Sequence, residues 1–254
     1  MELKLLLADF CHYAKYIRNV SSQTQARYQQ KIGFFIHNTH IEYASEITEK
    51  NVLEFFMNGR IERGWTTRTY LTYYMTLKVF FRWLVSKGKM TENYVDSIEK
   101  PRLEKLLPKK LHKQDALKLL EVAYHYPYTQ RFLSYRNHAL YATFLFTGLR
   151  KSELLNLKLG DVDLENLSLF VHMGKGNKDR IIPISFTLAQ SLSRYLKKRN
   201  QLNRTCIYFF ISSNRDHRFT ENGLKLTNRL MVKASKVHFT THQLRHTFAT
   251  MMIE

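Results

Sequence analysis

The chain has 254 residues, with 40 Lys+Arg against 21 Asp+Glu and a formal net charge of +19. Hydrophobic residues make up 44%, with 17 Phe and 15 Tyr against 9 Gly and 4 Pro; this excludes a disordered or collagen-like polymer and leaves enough chain for two domains. So large a positive surplus calls for an anionic partner, nucleic acid ahead of membrane, because the longest apolar stretches (139–149 and 207–211) fall far short of the ~20 residues a bilayer span needs.

The N-terminal run carries Asp9 and continues as an amphipathic helix, which argues against a signal peptide. Leu6, Phe10, Tyr13 and Ile17 recur at helical spacing and predict one buried face ending near Arg18. Ser22 and Gln25 have the form of a capping box before a second helix with Tyr28, Ile32 and Phe35 inward. Thr48 caps a third, carrying Val52, Phe55 and Phe56. Thr66 or Thr67 opens a fourth, with Tyr70, Tyr73, Leu77, Phe80, Phe81 and Leu84 inward and Gly88 as its stop. Core packing is the favoured reading of that aromatic stripe, with a base-stacking platform as the alternative; Arg68, Lys78 and Arg82 would face outward, towards phosphates.

The stretch 87–107 reads as a linker between a helical domain over 1–86 and a second domain over 108–254. Beyond it, helices are expected from Asp115 to Tyr126 and, strongly apolar and buried, from Arg136 to Phe146. TGLRKSELLNL begins another. The period then changes: DVDL, LSLFVHM and RIIPIS suggest three short antiparallel strands. Helices return at 187–198, 221–235 and from Thr241 onward. The fold class is therefore mainly α with a small antiparallel β-sheet (α+β). The second part also holds most of the charge, with 24 Lys+Arg and 10 Asp+Glu after residue 107 against 16 and 11 before it.

Three segments carry chemistry. In TGLRKSEL an apolar helix gives way at Gly148, so Arg150 emerges with its guanidinium held by packing, and Glu153 could orient it; taken singly, this is also how a surface ion pair looks. In GKGNKDR a hairpin tip presents Lys175, with Lys178 and Arg180 as further phosphate contacts. The tip lacks the spacing of a nucleotide-binding loop and could equally be a solvated turn. In HQLRHTFAT, His242 and Arg245 share a helical face that favours an anion, while Leu244 and Phe248 face the core. Cys11 and Cys206 lie far apart, and neither they nor the acidic residues offer a metal-binding spacing, so no metal and no cofactor is expected.

Taken in order, TGLRKSEL, HMGKGNKDRIIPI and HQLRHTFAT closely resemble the signature of the tyrosine recombinase (phage integrase) family, in particular its Xer-type site-specific recombinases. The resemblance spans nearly the whole chain. It implies a four-helix core-binding domain that grips DNA and a mixed catalytic domain. The catalytic residues it implies are Arg150, Lys175, His242 and Arg245, with Glu153 supporting. The implied reaction cuts and rejoins duplex DNA at a specific site through a 3'-phosphotyrosyl link. The partners it implies are same-kind subunits in a synaptic tetramer, without membrane, in the cytoplasm with the nucleoid. One departure stands out. The family's nucleophilic tyrosine follows the HxxR box by some tens of residues, whereas the last tyrosine here is Tyr208. The second domain is thus expected to be C-terminally incomplete, with a non-catalytic DNA-binding regulator or decoy as the alternative reading.

Overall fold

The computed structural model describes residues 2–103, 110–172 and 179–251 and divides into two compact units, Met1–Leu106 and Leu107–Glu254. The first holds α1 (Leu3–Tyr16), α2 (Ser22–Thr39), a 3-10 turn at Ala44–Glu46, α3 (Glu49–Ile61) and α4 (Thr67–Ser86). Its caps are local. Thr48 and Asn51 exchange side-chain bonds with each other's backbone N–H at 2.9 and 3.3 Å, and Thr66 accepts from the Thr69 N–H. At α2 the expected cap shifts by one residue. Ser21, not Ser22, has the extended backbone a cap needs and accepts from the Thr24 N–H.

The core of this unit is aromatic. Phe35 meets Phe55 edge-on at 5.0 Å and Phe81 at 5.6 Å, and Trp65 stacks flat on Tyr73 at 4.2 Å. Gly59 lies where a Cβ would collide with Trp65, so this position needs a residue without one. The stripe of α4 is buried, which assigns it to packing rather than to base stacking. On α1 the buried face is Leu3, Leu6, Leu7, Phe10, Cys11 and Ala14. Ile17, expected inward, is 74% exposed because the helix has already ended at Tyr16.

The segment after Gly88, where a linker was expected to begin, packs back on α4. Val95 and Ile98 are buried in the same core, and the Asn93 amide donates to the Lys78 carbonyl at 3.1 Å. The Lys78 ammonium pairs with Asp96. Two apolar anchors three residues apart thus hold a stretch whose polar composition reads as linker.

In the second unit, α5 (Lys113–His125) and α6 (Arg131–Thr147) start earlier than their apolar periods suggested: Lys113 and Gln114 give α5 a polar start, and α6 gains a further apolar anchor in the buried Phe132. α6 is central, packing on α5, α8 (Phe186–Asn200) and α10 (Thr241–Met251). The short α7 (Lys151–Asn156) leads to a three-stranded antiparallel sheet of β1 (Val162–Asp163), β2 (Ser168–Val171) and β3 (Arg180–Pro183), in that order, with Leu169 opposite Ile182. α9 (Glu221–Ser235) lies on α5. The sheet is small and the molecule mainly helical, in agreement with the fold class read from the sequence. Among the described residues no helix is long and apolar enough to cross a membrane.

This unit also buries cations. Arg136 is 5% exposed, donates to Asn137 Oδ1 at 3.0 and 3.1 Å, and lies 4.1 Å from the Phe219 ring centre. Burial pushes its pKa down to about 10, so it stays charged at neutral pH, held by dipoles and π faces instead of a carboxylate. Arg199 is likewise buried, donating to the carbonyls of Cys206 and Tyr208.

Candidate active site

α6 ends at Gly148, whose φ of +60° turns the chain left-handed and stops the helix. Leu149 is fully buried there, which fixes the start of the next residue's side chain. Arg150 follows in extended geometry, and its backbone N–H donates to Glu153 Oε2 at 2.8 Å, closing the first turn of α7. The Arg150 guanidinium reaches the same carboxylate, Nη1 to Oε1, at 2.7 Å. The expected orienting role of Glu153 is therefore a direct bond, made by a side chain only 5% exposed.

From the sheet, Arg180 at the head of β3 donates Nη1 to Oε1 at 3.0 Å and Nη2 to Oε2 at 2.8 Å. From α10, Arg245 brings Nη1 to 4.0 Å of Oε2 and donates to the Gly148 carbonyl. α10 is positioned by a reciprocal cap, Thr240 N–H to Gln243 Oε1 at 2.8 Å and Gln243 N–H to Thr240 Oγ1 at 3.2 Å. It is anchored by Leu244, fully buried, and by Thr247, whose hydroxyl accepts the Leu111 N–H at 2.9 Å. Phe248 is half-buried, with its ring against Gly148.

One acidic side chain is thus ringed by three guanidiniums drawn from a loop, a strand and a helix. Burial alone would raise the Glu153 pKa, but hydrogen bonds from Arg180 and from Arg150 outweigh it and hold it at about 2. Burial and the like charge of Arg150 push Arg245 below its ordinary value, with Glu153 opposing. Arg150, Arg180 and Arg245 keep about a third of their side chains exposed. The cluster is a fixed cationic surface facing solvent, with one charge compensated and two in surplus. Such a surface is suited to an anion with several oxygens, and a phosphodiester matches the planar donor forks.

His242 stands exposed in the first turn of α10, one turn before Arg245, with no bonded partner among the described residues. Lys175 and Lys178 lie outside the described residues. In the first unit Arg68 and Arg82 are exposed on α4, whereas Lys78 is partly buried and engaged by Asp96. The bridge between helix and return segment, invisible in the spacing of α4, turns Lys78 from the solvent-facing cation expected into a structural one.

Two site features escaped sequence reasoning. Arg180 was expected to touch DNA, yet it bonds to Glu153. The alternation of β3, where Ile181 is 67% exposed and Arg180 and Ile182 are not, held the signal. His172, at the end of β2, bonds through Nε2 to the buried Asp161 at 2.8 Å. A cleft of about 470 Å³ opens there, lined by Glu153, Asn156, Lys158, Asp161, His172 and Tyr208. Among the described residues no group of three or more His, Cys, Asp or Glu is placed to hold a metal ion.

Residues 109–254 match the phage integrase family. The tyrosine recombinase XerD of Listeria monocytogenes is 30% identical over 259 residues, covering 98% of this chain and 85% of that protein. A lambda integrase dimer bound to a COC' core site shares the fold at a TM-score of 0.75 and 22% identity, over 98% of this chain and 89% of that one. The Tn1549 transposon integrase in complex with transposon right end DNA does so at 0.78 and 19%, over 99% and 86%. With the family matched along the second unit and the XerD relative along nearly the whole length, this chain belongs to the phage integrase family as a Xer-like tyrosine recombinase.

Proposed function

We propose that the protein acts on duplex DNA as a site-specific recombinase, with Arg150 and Arg245 holding the scissile phosphate while the strand is cut and rejoined through a 3'-phosphotyrosyl link, whose tyrosine is none of the 15 in this sequence. The observation that carries this is the convergence of the two arginines, far apart in sequence, on one buried carboxylate. Held before the substrate arrives, they would neutralise charge on the non-bridging oxygens as the phosphorane develops, with no reorganisation left to do at that moment. Lys175 is assigned the proton given to the departing 5'-oxygen, and His242 a hand in proton transfer or in holding the phosphate.

In this reading the first unit grips DNA, with Arg68 and Arg82 as phosphate contacts, and the second carries the chemistry. Its partners are duplex DNA and further subunits of the same kind in a synaptic tetramer, in the cytoplasm with the nucleoid. The relatives with solved structures support this, being an integrase dimer on a core site and a transposon integrase on its end DNA.

A salt series of duplex-binding measurements tests the phosphate assignment. Arg150→Ala and Arg245→Ala should each weaken binding and shallow the slope of log affinity against log salt by about one. An unchanged slope in both variants, folded by circular dichroism, would reject the roles given to them.

A further inference from the structure

We infer that Arg180 is a positioning residue: by filling the Glu153 carboxylate, it keeps Arg245 free to hold a phosphate. The inference rests on the phosphate-holding reading above and adds to it a reason why the nearby anion does not capture the arginines meant for DNA.

An ionised carboxylate offers about four lone-pair sites. At Glu153 all four are taken. Oε1 receives Arg150 Nη1 at 2.7 Å and Arg180 Nη1 at 3.0 Å. Oε2 receives the Arg150 backbone N–H at 2.8 Å and Arg180 Nη2 at 2.8 Å. Arg245, arriving from α10, finds no vacant site; its Nη1 stops at 4.0 Å from Oε2, beyond hydrogen-bond reach, and bonds to the Gly148 carbonyl. Its remaining N–H groups have no partner among the described residues.

Without Arg180, two of the four sites would open on a carboxylate that is almost wholly buried, a group that strongly favours a charged donor. Arg245 needs to move only about 1 Å to reach an ordinary charge-assisted bond length. A guanidinium captured in that way must be pulled off its carboxylate before it can take a phosphate. Arg180 suits the task because its planar fork fills both oxygens at once, which an ammonium cannot do. Since Arg180 heads β3, the same contact ties the hairpin's return strand to α7.

The alternative is that Arg180 itself touches DNA. A mutant cycle on duplex DNA separates the two. In the otherwise unaltered protein, Arg245→Ala should weaken binding by about tenfold or more, as expected for a lost charged hydrogen bond. In an Arg180→Ala background, the same change should weaken it by less than about threefold, because Arg245 is already sequestered. Adding Glu153→Gln to Arg180→Ala removes the capturing charge and should restore the full Arg245 effect. Arg180→Lys, which fills one oxygen, should show the same pattern at smaller amplitude and serves if the alanine variant does not fold. Losses that simply multiply, with no rescue by Glu153→Gln, would overturn the inference and make Arg180 a separate contact. If Arg245→Ala has no effect even with Arg180 present, the phosphate-holding reading falls, and this inference with it.

Discussion

Both units bury an apolar core, but they differ in what they bury beside it. Of the eleven buried polar or charged residues among those described, Thr76 alone belongs to the first unit; the second buries Arg136, Asn137, Asp161, Arg199 and the rest. The first is a nest of rings, tolerant of chemistry but demanding of volume. The second demands that particular donors meet particular acceptors. A protein that must hold guanidiniums still before an anion arrives needs a scaffold of the second kind, since polar groups inside it can be placed only where partners satisfy them.

The largest effect should come from volume in the first unit. Phe35→Ala removes a fully buried ring in contact with Phe55 and Phe81 and should cost about 3–5 kcal/mol in chemical denaturation. A loss under about 1 kcal/mol would contradict the picture of a close-packed aromatic core.

Next comes Arg136→Met, similar in length and apolar. It should still cost about 2 kcal/mol in the same measurement, because Asn137 Oδ1 and the Ile211 carbonyl lose their donor. A neutral or stabilising result would mean that the second unit, like the first, asks only for shape.

The third expected effect is a change of slope. The Glu153 carboxyl titrates at about 2 in the folded protein against an ordinary 4.5, so the folded state binds that proton less tightly than the unfolded state. The stabilisation is whole above pH 4.5 and is lost as pH falls towards 2. Thermal melts across this window should fall less steeply for Glu153→Gln than for the parent chain. Parallel curves would show that the carboxylate is not held by its arginines.

What the sequence made legible follows the same division. Helix periods and caps are local, so Val52, Phe55, Phe56 and the α4 stripe could be placed from spacing, and α9 begins and ends where its pattern does. The identity of Arg150, Glu153 and Arg245 as one site came from the order of three motifs, not from any one of them. What stayed hidden depends on contacts between segments far apart in the chain. Asp96 reaching back to Lys78, and β3 delivering Arg180 to α7, leave no periodic mark. Ile17 was misplaced for the converse reason, since an apolar period says nothing about where the helix carrying it stops.

Gly148 has a wider consequence. Its carbonyl receives Arg245, its bare Cα faces the Phe248 ring, and its left-handed turn sets the departure of Arg150. The first two need α10 seated, and the third fixes the partner across the site. Seating the helix and assembling the pair of cations are therefore one equilibrium. Any anion gripped by both arginines is linked to that seating, so it acts as a clasp on α10 as well as a ligand, and a loosened helix reports itself as weakened affinity.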